Sequence, residues 1–264
     1  MVKLMEFKTV QSTSFRTLIE ALKEILTETN IEFNSTGMKI VAMDNTHTVL
    51  VYLRLEGKFF EFYSCKSRIV VGVSVINLYK IMRTMTGNDV LCWFIEVNSD
   101  NEVPNNLSIR IENSEKKIIN QYQFNLIDLD QGTITVPPAD FDCVIYISAS
   151  YFQKMCKDML NLSEKVEIQC IGNTLKFICR GDFCTQELIL GESVGCMQFQ
   201  KTSNDSIPIV GIYELKHLVM FTKCTNLCSN VYIFIKNDYP IIIQYKVADL
   251  GTIKLCLAPK IKDG

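Results

Sequence analysis

The sequence predicts an α+β protein made of two pseudo-equivalent domains, each with two helices packed on antiparallel sheets. Three observations carry this reading. A helix–strand–helix pattern occurs twice at a constant offset of about 137 residues. Alternating, strand-like stretches dominate the rest of the chain, and only four segments have helical periodicity. The 264 residues suffice for two domains of ordinary size, each with its own core.

The repeat shows at three places. Phe15, Leu18 and Leu22 recur as Phe152, Met155 and Met159. Met38-Lys39-Ile40 recurs as Leu175-Lys176-Phe177, and Leu78, ahead of Lys80, recurs as Leu215, ahead of His217. Because the offset is the same each time, the element order is duplicated without a gap.

The first helix is expected from Ser14 to Leu26, with Phe15, Leu18, Ile19, Leu22, Ile25 and Leu26 on one face. The second, about 75–85, uses Val75, Leu78, Met82 and Met85; the third, about 150–161, uses Phe152, Met155, Cys156 and Met159. The fourth, about 212–224, is less regular, with Leu215, Leu218 and Val219. Strands are read from clean alternation at Leu107–Glu112, Tyr122–Leu126 and Val166–Cys170. Glu56-Gly57-Lys58 separates Val49–Leu55 from Phe59–Tyr63 and predicts a hairpin turn. Residues 229–246 predict two further strands around Lys236-Asn237-Asp238.

Between the halves, Ile127-Asp128-Leu129-Asp130-Gln131-Gly132-Thr133-Ile134-Thr135-Val136-Pro137-Pro138 has no helical period and reads as an extended connector. The expected division is therefore an N-terminal domain over 1–126, a connector over 127–139 and a C-terminal domain over 140–264. A solvated linker has no need of Ile134 and Val136, so these two side chains belong against a domain or await a partner.

Apolar residues make up 48% of the chain and charged residues 21%, which excludes a disordered protein. No run reaches the ~20 apolar residues of a membrane span, and Met1–Met5 leads into a strand-like stretch without a signal-peptide core. The expectation is a soluble protein of a reducing, intracellular compartment with no membrane partner. The eleven cysteines are odd in number and scattered. Cys92, Cys170 and Cys179 fall in apolar strands as small hydrophobes, and Cys224 and Cys228 lack a second cluster to complete a zinc site. No metal and no cofactor is expected.

The net charge of −2 argues against a uniformly basic nucleic-acid binder, yet the charge is segregated. The four helical stretches carry Arg16 and Lys23, Lys80 and Arg83, Lys154 and Lys157, and Lys216 and Lys223, against Glu20, Glu24 and Asp158. This gives a local sum of about +5 and leaves about −7 elsewhere. A solvated helix surface with Arg16 and Glu20 paired at i,i+4 accounts for one helix taken singly. The same bias on all four favours a face that meets phosphates without reading sequence.

Catalytic signatures are missing: there is no G-x-S-x-G, G-x-x-x-x-G-K-[ST], H-E-x-x-H or G-x-G-x-x-G, and His47 and His217 are far apart. Asp128-Leu129-Asp130 is a D-x-D whose carboxylates face one way on an extended segment and permit a shared cation, although an acidic connector is the commoner explanation and no other acidic group converges there. The chain is not read as an enzyme.

Several stretches resemble proliferating cell nuclear antigen, the eukaryotic DNA sliding clamp. They are Tyr245-Lys246-Val247-Ala248-Asp249-Leu250-Gly251, Leu257-Ala258-Pro259-Lys260-Ile261, Met43-Asp44-x-x-His47, Leu126-x-Asp128-Leu129-Asp130, Gly72-Val73 and Gly87-Asn88-Asp89. The resemblance covers nearly the whole chain and is most specific at its C-terminal end. It implies two DNA-clamp domains per chain and a homotrimeric ring whose twelve helices line a hole for double-stranded DNA. Arg16, Lys23, Lys80, Arg83, Lys154, Lys157, Lys216 and Lys223 fall on the family's lining positions. It also implies DNA polymerase and other proteins with a Q-x-x-[ILM]-x-x-aromatic-aromatic peptide (PIP box) as partners, held by Met43, His47, Leu50, Ile134, Val136, Pro240, Ala258 and Pro259, and a clamp loader that opens the ring. Subunits would join edge to edge, Lys117–Phe124 of one copy with Cys184–Gly191 of the next, through Lys117, Ile119, Tyr122, Phe124, Cys184, Glu187, Leu188 and Leu190. Replication and repair in a nucleus, or at a viral replication site, follow from the same resemblance.

There are departures from the family pattern. Cys256 stands where an aromatic residue is usual and Thr48 where an apolar one is usual, Gly172 replaces a modified lysine, and Val97–Asn106 is long. Together with abundant Ile, Asn and Cys they suggest a viral or divergent lineage. Other readings are a subunit of a hetero-oligomeric checkpoint-type clamp, a monomeric processivity factor, and a D-x-D metal-dependent enzyme.

Overall fold

The computed structural model of the chain describes residues 2–98, 103–130, 132, 134–136, 139–193, 196–201 and 208–260. Outside them lie Gln131, Thr133, Pro137 and Pro138 of the expected connector, Ile261 of the C-terminal resemblance, and the centre of the long 97–106 stretch.

The first half runs β1 (Val2–Thr9), α1 (Ser12–Leu22), β2 (Glu28–Asn34), β3 (Gly37–Met43), β4 (Val49–Glu56), β5 (Phe62–Cys65), β6 (Ile69–Ser74), α2 (Val75–Met82), β7 (Asp89–Val97), β8 (Asn106–Asn113) and β9 (Ile118–Asn125). The second runs β10 (Cys143–Ser148), α3 (Ala149–Leu160), β11 (Lys165–Ile171), β12 (Thr174–Arg180), β13 (Thr185–Gly191), β14 (Met197–Lys201), β15 (Ile209–Glu214), α4 (Leu215–Phe221), β16 (Asn230–Ile235), β17 (Ile241–Val247) and β18 (Gly251–Leu257). Short 3₁₀ turns occupy Gly57–Phe59 and Thr222–Leu227.

The duplication is plain in the strand orders. The first half gives β5-β1-β7-β8-β9 and β6-β2-β3-β4. Adding nine to each label gives the orders of the second, β14-β10-β16-β17-β18 and β15-β11-β12-β13. The helices obey the same correspondence, α1 following β1 as α3 follows β10, and α2 following β6 as α4 follows β15. Among the described residues the strands whose register is given pair antiparallel, as in Phe7↔Trp93, Ile109↔Tyr122 and Phe177↔Leu188.

By contacts the chain forms two compact units, one of residues 1–44, 51–134 and 246–253, the other of 45–50, 135–245 and 254–264. In the first, Trp93 meets Phe7 at 5.3 Å and Phe15 at 5.1 Å between ring centroids, and α1 lies on β7. In the second, α3 packs on β10 and β16 while α4 packs on β15. The repeated residues are core in both: Phe15, Leu18 and Leu22, like Phe152, Met155 and Met159, are buried, as are Ile40 and Phe177, Leu78 and Leu215. Burial of large apolar side chains on one helical stripe, each worth roughly 1.5–3 kcal/mol, is what made the repeat visible.

Three expectations change. The first helix spans Ser12–Leu22 rather than Ser14 to Leu26, so Ile25 and Leu26 are buried beyond its end. The break at Gly57 is not a hairpin, because β5 pairs with β1 (Met5↔Cys65, Phe7↔Tyr63) in the other sheet. The 3₁₀ turn carries the chain across, burying Phe60 against Phe7 at 4.8 Å, and the Tyr63 hydroxyl reaches back to the carbonyls of Asn34 and Gly37 at 2.8 and 2.6 Å. The fourth helix starts at Leu215 rather than near 212, since Ile212, Tyr213 and Glu214 complete β15 against Glu167, Val166 and Lys165. It also gives way to a 3₁₀ turn at Thr222. All eleven cysteines are described and unbridged.

The start of the connector belongs to the first unit. Ile127 bridges Gly72, donating its N–H to the Gly72 carbonyl at 2.9 Å, and Asn30 Nδ2 donates to the Leu129 carbonyl at 3.2 Å.

Candidate nucleic-acid interface and partner sites

In the first unit α1 and α2 pack on one another through buried apolar faces, leaving their basic residues outward. Arg16 is half-buried and its guanidinium donates to the Met85 carbonyl at 2.7 Å. Lys23, just beyond α1, pairs with Glu24 and lies 4.8 Å from the Tyr79 ring centroid. The Glu24 hydrogen bond raises the Lys23 pKa, so its charge is secure but partly compensated. Lys80 is exposed and donates to Asn77 Oδ1 at 2.9 Å; Arg83, also exposed, caps the end of α2.

In the second unit Lys154 and Lys157 stand exposed on α3, opposite its buried Phe152, Met155, Cys156 and Met159. Lys223 is exposed in the 3₁₀ turn rather than on a helix. Lys216 is exposed but its ammonium lies 2.7 Å from Glu214 Oε2.

Glu214 is the site residue the sequence reading missed. It takes Lys216, Lys260 at 2.6 Å and His217 Nε2 at 3.2 Å, and hydrogen bonds from the two lysines hold its carboxyl down at about 2. Its signal was available: an acidic residue directly before the helix and two before Lys216. Counting it lowers the helical sum from about +5 to about +4. The surplus that remains resides in Arg16, Lys80, Arg83, Lys154, Lys157 and Lys223.

Both expected subunit-joining strands are sheet edges. β9 ends its sheet beyond β8, and β13 ends its sheet beyond β12. Within β9, Ile119 is 58% exposed, Tyr122 half-buried and Phe124 buried. Within β13, Leu188 and Leu190 are half-buried, and Glu187 pairs with Lys176 at 3.3 Å. Lys117 precedes β9 in a turn at φ 54°, and Cys184 precedes β13, so neither lies in a ladder. The structure adds Ile118 and Ile189, 47% and 57% exposed, as apolar groups on these edges.

Of the expected peptide-binding residues, Met43 and Ile134 belong to the first unit and His47, Leu50, Val136, Pro240, Ala258 and Pro259 to the second. Met43 is exposed at the end of β3, and half-buried Ile134 lines a small cavity with Asn30, Val41 and Val70. His47 is exposed at φ 54°, Leu50 and Pro240 are half-buried, and Val136 is 37% exposed. The Ala258 N–H points to the Thr48 carbonyl at 3.5 Å, ahead of half-buried Pro259. Cys256 is buried, with a thiol pushed up to about 11 by burial.

Asp128 and Asp130 are both exposed, and among the described residues no group of three or more His, Cys, Asp or Glu is placed to hold a metal ion. Among the described residues, too, no helix is long and apolar enough to cross a membrane.

Family models match both halves: the N-terminal domain of proliferating cell nuclear antigen over residues 4–133 and its C-terminal domain over 135–260. The chain belongs to the proliferating cell nuclear antigen family. A relative from Paramecium bursaria Chlorella virus 1, described as a probable DNA polymerase sliding clamp 1, is 32% identical over 260 residues, covering 97% of each chain. The two family domains meet at residue 134, within the stretch that the sequence marked as a connector. The proliferating cell nuclear antigen assignment also accounts for the duplicated strand order.

Proposed function

We propose that this chain is a DNA sliding clamp, a processivity factor that encircles double-stranded DNA as a homotrimer and tethers a DNA polymerase. Membership of the family and the viral relative support the clamp reading. One structural observation supports assembly: among the described residues, β9 and β13 each end their sheet, so β9 of one copy can pair with β13 of the next. Such head-to-tail pairing closes into a ring when the rotation per subunit is a whole fraction of a turn.

The basic helices then act on phosphates. Lysine and arginine tips on flexible stems give salt-dependent attraction without base readout, which suits a ring that must slide. Partners with a PIP box are taken by Met43, His47, Leu50, Ile134, Val136, Pro240, Ala258 and Pro259, and a clamp loader opens the ring. With Cys256 in place of an aromatic group and Thr48 in place of an apolar one, the aromatic-anchor site is weakened or reshaped. Work at a nuclear or viral replication site follows. The chemistry is non-catalytic: the task is topological, and the polymerase supplies the reaction.

Light scattering coupled to size exclusion tests the assembly. The expected mass is three times the 30.2 kDa chain. A chain that stays at 30.2 kDa across micromolar concentrations overturns the homotrimer and favours a monomeric factor or a hetero-ring subunit. Retention on circular DNA with loss on linearisation tests encirclement, and Lys80→Glu with Lys216→Glu should weaken loading without changing the mass.

A further inference from the structure

Glu214 closes β15 with its carboxylate between two ammonium groups, one on each oxygen. Lys216 lies 2.7 Å from Oε2 and Lys260 2.6 Å from Oε1, while His217 Nε2 stands 3.2 Å from Oε2. The three partners differ in access: the Glu214 side chain is 19% exposed, Lys260 45% and Lys216 68%. The carboxylate is the anchored member and Lys216 the reachable one. The matching strand of the first unit, β6, closes instead on Ser74, which brings no charge to the start of α2.

An ion pair with so exposed a lysine is weak. A phosphate that takes the same lysine releases a condensed counter-ion from the duplex and binds more tightly as salt falls. The two anions therefore compete for Lys216. The two lysines hold the Glu214 carboxyl at about 2, so it competes as an anion throughout the neutral range. An unpaired carboxylate this enclosed would oppose the exchange. Departure of Lys216 does not leave it unpaired, because Lys260 stays on Oε1, fixed by its N–H bond to the Ile212 carbonyl at 2.8 Å.

We propose that Glu214 is a positioning residue for DNA: an internal counter-ion that holds Lys216 in the free protein and yields it to a backbone phosphate in the bound state, with Lys260 keeping the carboxylate paired. The ligand class is the phosphodiester backbone of duplex DNA, and the inference rests on the phosphate-facing reading of the helices given above. Lys80, by contrast, donates to the neutral Asn77 side chain at 2.9 Å. The two units of one chain therefore grip a duplex unequally. The hold of the second is set below what its lysine count implies, which favours movement along the DNA.

Fluorescence anisotropy of a labelled linear duplex over a salt series, with the full chain, tests this. Glu214→Gln should raise affinity about 1.4- to 5-fold for each Lys216 engaged, and steepen the slope of log affinity against log salt by up to about 0.9. Glu214→Asp keeps the charge but withdraws it by one methylene, and should shift affinity in the same direction. Lys216→Gln should lower affinity, and adding Glu214→Gln to it should bring no gain, since no lysine remains to be released. An equal gain in both backgrounds marks bulk charge and overturns the proposal, as does unchanged affinity in Glu214→Gln and Glu214→Asp. Lys154→Ala with Lys157→Ala separates the two readings. If its salt slope matches wild type, the phosphate-facing assignment falls and this inference with it. If its slope drops while Glu214→Gln acts as bulk charge, the inference alone is lost.

Discussion

Lys260 is fastened to β15 twice: its backbone N–H donates to the Ile212 carbonyl at 2.8 Å, and its ammonium lies 2.6 Å from Glu214 Oε1. Glu214 holds Lys216 with its other oxygen, so one carboxylate ties the chain's C-terminal stretch and a basic helix to the same strand end.

That tie predicts a pH dependence. Hydrogen bonds from Lys216 and Lys260 lower the Glu214 carboxyl from its ordinary 4.5 to about 2. A depressed folded-state pKa stabilises above the unfolded value, and the contribution is lost as pH falls from 4.5 through about 2. Solvent screening of this part-exposed group reduces the effect to about 1 kcal/mol. Glu214→Gln should lower stability by that amount in urea melts at pH 7, with the gap to wild type narrowing toward pH 3.

Charge on the open edges should dissociate the assembly without harming the subunit. Ile119 and Ile189 are 58% and 57% exposed, so Ile119→Lys or Ile189→Lys should change stability by less than about 0.5 kcal/mol. Scattering should nevertheless report the single-chain mass. A full-sized assembly in both variants would move the junction elsewhere.

Gly72 leaves no room for a side chain. A β-carbon there would stand 2.2 Å from the Ile127 carbonyl oxygen. Gly72→Ala should displace Ile127 and its bridge, at a cost of about 1–3 kcal/mol. Limited proteolysis should show faster cleavage near Ile127–Leu129.

Removing two uncompensated charges should show in salt titrations. Lys154→Ala with Lys157→Ala should reduce the slope of log affinity against log salt by up to about 2, if each meets one phosphate. Affinities on different sequences should fall alike if both meet phosphates alone.

The single tryptophan reports on the first core. Trp93 touches Phe7 and Phe15, so Phe15→Ala opens a cavity beside it and should cost about 3–5 kcal/mol. The fluorescence transition in denaturant should shift accordingly.

The duplication and the helical stripes were legible because both rest on large apolar side chains at fixed spacing. Phe15 and Phe152 announce the same buried position, and alternation in Val166–Cys170 survives as β11. The turn at Gly57 was misread because Gly between two β-rich runs signals a hairpin and a sheet-to-sheet crossing alike. Only the placement of Phe60 on Phe7, set by the tertiary fold, separates them. The start of α4 was blurred because Ile212 and Leu215 satisfy both a strand and a helical period. Among site residues, the exposed lysines were readable one by one, but Glu214's hold on Lys216 and Lys260 joins residues 46 apart and depends on where β15 ends. The edge character of β9 and β13 was likewise invisible in composition, since any strand of a sheet alternates.

Ile127 and Leu129 are already fastened to Gly72 and Asn30. The ordering entropy of this short run is therefore spent when the chain folds, not when a partner arrives. A guest that lies along the connector meets a stiffened lip at its first three residues, and the affinity it would otherwise lose in immobilising a slack strap is retained.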